Sequence, residues 1–470
     1  MSAEKVQKIH EATMRILRDT GMKFLHPDAV RILQEHGIRV EDNVAYFSEE
    51  QIMTWIKKAP AEFPVRAFAP ENDIIVGGDH VVNGVTIVTD VMERDGRLRK
   101  ATIDDYIRLL KLYESNPKIG INGGLTVEPK EIPNYWKDLV FNFISLVHSE
   151  KVLYTAGGNY EQMEAVIELT RTKFGLSEEE FKKQPILFGL SNTNTPLLLD
   201  SNMTETILTF AKYRQPIIIA SAAMSGSSAP VTIAGSIALT NAEVLATIAM
   251  VQMFAPGTPV IYGSQSTVAD MRTGGIAIGA PESALCSKYA AALARFYGVP
   301  VRAGGALTDA RAFDPQAAYE AMLTYYACAS NKVNVLLHAA GVMDGYLAMS
   351  FDKVITDFEI IDYVDRYIRD VAVDAETIPE ELIKSVGHGG QYLTEEHTMQ
   401  YCRIDPLNTH ISARGTVSDP QTFYKNIDKR LNELVEGYRK PEIPAAVLEK
   451  MKDILRSKGI SEELIEKCSE

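Results

Sequence analysis

The side chains best placed to do chemistry gather in one stretch, residues 300–350, PVRAGGALTDARAFDPQAAYEAMLTYYACASNKVNVLLHAAGVMDGYLAMS. Two apolar, strand-like runs there end on glycines and polar groups. Gly304, Gly305, Thr308, Asp309 and Arg311 follow the first, and His338, Gly341 and Asp344 close the second. A strand that runs out into such residues ahead of a helix lets a ligand approach the backbone and offers it the free N–H groups of the helix start. The ends of other apolar runs contribute Asp90, Asn122, Thr155, Ser191, Asn192, Asn194, Ser221, Tyr262, Ser264 and Gln265. This set is polar but nearly uncharged. Metal-assisted hydrolysis needs several His, Asp or Glu side chains at such positions, and one His with one Asp does not supply them. HExxH and CxxC are also absent, so no metal is expected.

Several of these residues admit two readings. The glycine loops 272–282 (RTGGIAIGAPE) and 303–310 (AGGALTDA) could present N–H groups to a phosphate, or could be tight turns. His338 suits a ligand contact or a satisfied core position. Arg302 either points into a barrel, where it needs a carboxylate, or faces the helices and pairs there. Tyr154, Phe188, Tyr262 and Phe313 are packing aromatics or, together, a cage for a cation.

The elements that must position these groups show a clear rhythm. From residue 84, eight short apolar runs (85–89, 119–122, 152–156, 186–190, 216–220, 259–262, 300–303 and 333–337) alternate with helix-like segments. Thr102 ahead of Asp104 and Asp105 marks one helix start, and Asp314-Pro315 marks another. Strands apolar on both sides and separated by helices form a parallel sheet, and eight units select an α/β fold of the closed (β/α)8 TIM-barrel type. The first unit is the weakest, since 92–100 equally suits a hairpin. The expected organisation is an N-terminal helical and small-β cap (1–83), a catalytic barrel (84–370) and a C-terminal helical extension (371–470). In the cap, 1–60 reads as helical, ahead of antiparallel strands at 63–69 and 73–82. The extension holds a helix at 377–386, the loop GHGGQYL (387–393), a helix at 395–401 and a helical tail from 419, broken at Pro441 and Pro444.

Composition narrows the function further. The net charge of −14 argues against a nucleic-acid partner, which needs clustered Lys and Arg. Four scattered cysteines fit a reducing compartment rather than a disulfide framework. The N-terminus reads as a charged amphipathic helix, not a signal peptide, and no run approaches 18 consecutive apolar residues. A cytoplasmic location away from any membrane is expected.

The segments SGSSAPVTIAGSIALTNAEVLA (225–246), RTGGIAIGAPESAL (272–285), GGALTDARAFDPQAAYE (304–320), LLHAAGVMDGYLAMSFDKVITDFE (336–359) and GHGGQYLTEEHT (387–398) resemble the trimethylamine methyltransferase superfamily. The resemblance implies a TIM barrel that transfers a methyl group to the cobalt of a separate corrinoid protein, so the corrinoid belongs to the partner and no cofactor is held permanently. The archaeal trimethylamine enzymes carry pyrrolysine in the loop resembling LTDARAFDPQ, where this chain has Ala312. It is therefore similar to the non-pyrrolysine branch, whose members demethylate quaternary amines such as glycine betaine, proline betaine, carnitine or γ-butyrobetaine. Such a reaction asks for positioning, not for an acid or base, and Asp90, Asn122 and His338 are the positioning candidates. The ammonium should meet Tyr262, Phe313 or Asp90, and the carboxylate Arg302, Arg311, His338 or His388. Gln265 and Ala312 complete the expected substrate site. A phosphate-binding barrel lyase or isomerase, and a non-catalytic betaine-binding protein, are the alternatives. Barrels of this size with long terminal helices often self-associate, so a homo-oligomer is expected.

Overall fold

Each barrel strand is a few apolar residues wide, because a parallel sheet covered on both faces has no polar side to show. In the computed structural model, which describes residues 2–85, 88–416 and 419–470, the strands are β1 (Val82–Gly84), β2 (Ile119–Ile121), β3 (Leu153–Thr155), β4 (Leu187–Asn192), β5 (Ile217–Ser221), β6 (Val260–Ser264), β7 (Val301–Ala303) and β8 (Val335–Leu336). All neighbours pair in parallel, in sequence order, and β8 returns to β1. A bridge between Ile121 and Val152, with the Asn122 N–H donating to the Val152 carbonyl at 2.9 Å, joins β2 to β3 and closes the ring. The expected eight-stranded barrel is the observed fold.

The helices that follow the strands are α1 (Ile103–Glu114), α2 (Lys137–His148), α3 (Tyr160–Phe174), α4 (Ser201–Lys212), α5 (Ile233–Phe254), α6 (Pro281–Tyr297), α7 (Pro315–Ser330) and α8 (Phe351–Ile368). Thr102 and Asp105 form a reciprocal capping box at the start of α1, and Asp314 caps α7 with Pro315 inside the first turn. Helix α5 is apolar on every side and long enough to cross a membrane. It is instead buried, with β5 and β6 beneath it and the N-terminal helices Ala3–Asp19 and Glu49–Ile56 above.

Three expectations shift. The first strand lies at Val82–Gly84 rather than 85–89, a run whose residues 86 and 87 fall outside the described residues. The N-terminal 60 residues are not all helical. Met22–Phe24, Arg39–Glu41 and Val44–Tyr46 make a small sheet with Leu198–Leu199, its hairpin turned by Asp42 and Asn43 at φ 49° and 65°. Strands of three residues are too short to show a period of two. Finally, 90–100 is the hairpin alternative: Asp90–Met92 pairs with Leu98–Lys100, and with Val342–Met343 and Ala348–Met349 it builds a four-stranded sheet beyond the ends of β1 and β8. The expected strands near 63–69 and 73–82 pair as Glu62–Val65 with Ile74–Gly77. The tail helices fold back on the barrel wall. Thr422–Gly437 lies on α1 and α8, Ala445–Ser457 on α3, and Glu462–Ser469 on α2.

Candidate active site

Arg302 is the most unusual residue inside the ring. It sits mid-strand on β7, 3% exposed, in register with Gly263 on β6. Its guanidinium lies within electrostatic reach of Tyr346, Tyr154, Cys328 and His338. Among the described residues nothing gives it an ion pair or hydrogen bond, and Nε is shut off from solvent with no partner. Burial pushes its pKa down, which measures the cost of holding the cation there. A buried charge without a partner costs several kcal/mol, by order of magnitude, and is retained only where something else repays it.

Its surroundings come from other strand ends. His338 follows β8 at φ 65°, 5% exposed, with its ring 4.9 Å from that of Tyr346. Burial first, then the Arg302 charge, hold its pKa well below the usual histidine value, so the imidazole is neutral at physiological pH. Tyr346 reaches the mouth from the turn between Val342–Met343 and Ala348–Met349. There Asp344, Gly345 and Tyr346 take φ of 48°, 59° and 73°. Successive left-handed residues are costly unless the surroundings enforce them. Here the Asp344 N–H donates to Ala310 O at 3.0 Å and the Gly345 N–H to Thr308 O at 3.3 Å. The Tyr346 hydroxyl accepts from the Gln265 side-chain amide, whose buried Oε1 has no partner among the described residues. Tyr154 and Phe188 are paired in register across β3 and β4. Gly189 faces Phe210 on α4, so Phe188 and its partner Tyr154 face the interior.

Of the expected site residues, then, the structure brings Arg302, His338 and Gln265 together, with Tyr154 and Phe188 on the same interior surface. Tyr262 points the other way, its hydroxyl donating to Asn241 Oδ1 on α5 at 3.1 Å. Asn122 also faces the helices, donating to Leu110 O and to Glu114 Oε2 at 2.8 Å. Asp90 lies in the small outer sheet and receives Lys100 Nζ on both oxygens at 3.0 Å. Arg311 is 86% exposed and pairs with Asp344 at 3.1 Å. Ala312 abuts the Gly96 turn, and the Phe313 ring packs against Tyr424 of Thr422–Gly437. His388 is exposed in the C-terminal extension. Tyr346 was missing from the expected set, although the Asp344-Gly345 turn signal that aims it was present.

The loops around this interior are tied by carboxylates. Lys353 and Asp357, both fully buried on α8, pair at 2.6 Å. Lys353 Nζ also donates to Ala306 O at 3.3 Å, and Asp357 accepts the Gly341 N–H at 2.7 Å. The pair therefore grips the loops after β7 and β8 at once. Glu320 on α7 accepts from Thr308 Oγ1 and the Asp309 N–H, and the Asp309 carboxylate accepts the N–H groups of Ile278 and Gly279. The β7 and β8 loops touch backbone to backbone, since the Ala306 N–H donates to His338 O at 2.9 Å. A Cβ on Gly305, at φ 139°, would stand 2.4 Å from that same oxygen.

These bonds bear on the reading of the two glycine loops. Ala306, Leu307, Asp309 and Ala310 all donate their N–H groups within the protein. So do Gly274, to Asp270 O, and Gly275, to Thr273 Oγ1. Most of the loop N–H groups are therefore engaged within the protein, which favours the reading as tight turns.

Asp138, in the first turn of α2 beside the β3 end, has a buried Oδ1 with no partner among the described residues, and burial raises its carboxyl to about 6. An unfolded aspartate titrates near 4, so from about pH 4 to 6 the native state binds more protons than the unfolded one, and stability falls as pH rises through that window. Asp138→Asn should flatten this decline and raise stability at neutral pH by at most about 3 kcal/mol, measurable by urea denaturation from pH 4 to 8.

Comparison with known proteins places the chain in a consistent company. A trimethylamine methyltransferase family model matches residues 1–461. A glycine betaine methyltransferase of Desulfitobacterium hafniense (strain Y51) is 35% identical over 98% of this chain and 97% of its own length. An L-carnitine:corrinoid methyltransferase of Eubacterium limosum is 27% identical over 96% and 94%, and a trimethylamine methyltransferase of Methanosarcina mazei 29% identical over 97% and 90%. The solved monomethylamine methyltransferase of Methanosarcina barkeri aligns over 96% of this chain and 98% of its own, with a TM-score of 0.49 and 11% identity.

Proposed function

Because this chain belongs to the trimethylamine methyltransferase family, we propose that it moves a methyl group from a betaine to the Co(I) corrinoid of a separate protein. A betaine here means a quaternary amine that carries its own carboxylate. The observation that carries this reading is the buried guanidinium of Arg302, which has no partner among the described residues. A substrate carboxylate is the group that a planar fork of N–H donors in a dry interior is built to receive. The other end of the substrate, a cation without N–H groups, suits the aromatic surfaces of Tyr346, Tyr154 and Phe188. His338 beside them is neutral and so does not repel it.

The chemistry needs little else from the protein. The N–CH3 bond breaks with its electron pair left on nitrogen, and a tertiary amine departs. Co(I) supplies the two electrons of the new bond and becomes methyl-Co(III). No proton moves, which fits an interior whose histidine is neutral and where no carboxylate among the described residues pairs with the arginine. The chain's own residues orient the substrate and exclude water. A substrate without a carboxylate, such as trimethylamine, would leave Arg302 unpaired, which counts against it.

The test is a cobalamin assay. Reduced cob(I)alamin with the protein and glycine betaine, proline betaine or carnitine should give methylcobalamin and the N-demethylated amine, with choline and trimethylamine far slower. If no member of the panel changes the cobalamin spectrum, the proposal fails.

A further inference from the structure

A second orphaned charge accompanies Arg302 at the mouth. Asp138 lies in the first turn of α2, and the helices of such a barrel run back antiparallel to the strands, so that turn stands level with the strand ends. Two contacts fix which side of α2 faces the barrel. Asn142 donates to Thr155 Oγ1 at the end of β3 at 2.9 Å, and Ser145 Oγ accepts the Gly124 N–H beyond β2 at 3.0 Å. Asp138 shares that side, one turn before Asn142 and so one turn nearer the mouth, where β3 has ended. Its carboxyl therefore lies over the strand end instead of against the outer face of the strand. The Ala156 N–H just past β3 is close enough to favour its charged form, and Tyr154, which faces the interior, is within its electrostatic reach. Tyr154 is within reach of Arg302 as well, so one interior ring stands near both orphans.

Asp138 is 9% exposed, and among the described residues no other carboxylate has an oxygen shut off from solvent without a partner. Around the mouth, Asp90, Asp344 and Asp357 hold lysine or arginine side chains, while Asp309, Glu320 and Glu243 accept N–H groups. Lys137, the cation next to Asp138 in the chain, is drawn off to Glu128 at 2.8 Å. Burying a carboxylate in this way is costly, as burying the Arg302 guanidinium is, and calls for a ligand that repays it. A simple cation would suit Asp138 and be repelled by Arg302, and a simple anion the reverse. A zwitterion supplies what each of them lacks.

We propose that Asp138 supplies the counter-charge to the quaternary ammonium of the substrate, beside the aromatic surface of Tyr154. The inference rests on the betaine reading above and adds to it the residue that tells a charged methyl donor from a neutral molecule of the same shape. A quaternary ammonium has no N–H to donate, so the contact is Coulombic. In a dry interior such an attraction acts over several ångströms and asks for no hydrogen-bond geometry. Tyr106 and Tyr154, the tyrosines within reach of Asp138, are held neutral by burial, and Lys137 and Glu128 face it as a pair without net charge. The Asp138 carboxyl is therefore the group in this corner whose charge changes below neutral pH.

The test is titration calorimetry on the full chain with glycine betaine and with 3,3-dimethylbutanoate, its isostere with carbon in place of nitrogen. Where the cobalamin assay selects another betaine, that betaine and its carbon isostere replace them. At pH 7.5 the wild-type chain should bind the betaine at least about 30-fold more tightly than the isostere, and in Asp138→Asn the ratio should fall to about fivefold or less. The affinity of the isostere itself should change by less than about threefold, since it never used the charge. Wild-type affinity for the betaine should fall as pH drops through about 6, because a proton must leave Asp138 before the ammonium can pair. Affinity for the isostere should stay level over the same range, and Asp138→Asn should level the betaine curve too. The wild-type profile needs no variant and stands even where the substitution fails to fold. An unchanged ratio in Asp138→Asn, or a wild-type betaine affinity independent of pH, would overturn the proposal and leave the betaine reading intact. A wild-type chain that binds neither compound would overturn both.

Discussion

Arg302→Leu should produce a protein that is more stable and nearly inactive on betaines. The two effects share one cause. In the free protein the guanidinium is buried with no partner among the described residues, so replacing it with an apolar side chain removes a desolvated charge and should raise the melting temperature by a few degrees. In the complex the same change removes the seat of the substrate carboxylate. Truncating one member of a buried, hydrogen-bonded charge pair costs about 2–5 kcal/mol, so kcat/KM for the best betaine should fall by roughly 10² to 10³. The comparison with choline separates binding from general damage. Choline has the ammonium without the carboxylate, so its slow turnover should change by less than about threefold, since it never used the residue. Arg302→Lys keeps a positive charge but not the planar fork and should recover only part of the loss. Equal losses on betaine and choline would place Arg302 in the scaffold rather than the substrate seat.

How far the sequence leads depends on strand length. Eight units were legible because each apolar run stands between a helix end and a cluster of small polar residues, and that pattern survives an error of a residue or two. Which side chains face inward was not legible. On three-residue strands a shift of one position exchanges interior and exterior. Tyr262 and Arg302 show both outcomes. Tyr262 is turned out to Asn241, while Arg302, one step further along in register, is turned in. Strand-end polarity located His338 and Gln265 because both lie within two residues of a strand end. Phe313 and His388 depend on where long excursions travel, which no local pattern encodes. Tyr346 reaches the interior only through a turn of left-handed residues fastened to Thr308 and Ala310. The Asp-Gly signal announces such a turn without saying where its tip will land.

The buried pair on α8 should separate stability from activity more cleanly than any other position. Lys353→Met leaves the Asp357 carboxylate without its counter-charge in an interior where both are fully buried. A loss of about 3–5 kcal/mol is expected, read as a lowered denaturation midpoint. Adding Asp357→Leu should restore most of that stability, because two apolar side chains need no solvation. Activity should not return with it. Lys353 and Asp357 hold Ala306 O and the Gly341 N–H, and through them the loops that follow Arg302 and His338. With both ties gone, the loops keep their mutual bond between the Ala306 N–H and His338 O and their bonds to Thr324 and Glu320, but lose the anchor that α8 gives Ala306 O and the Gly341 N–H. Small displacements of the groups that align a substrate with an incoming nucleophile are costly, so betaine turnover in the double variant should stay at least about tenfold below wild type at near-wild-type stability. If the double variant instead regained full turnover, the pair would be a stabilising feature of α8 alone, and the alignment of the mouth would have to come from Glu320, Asp309 and the Tyr346 turn.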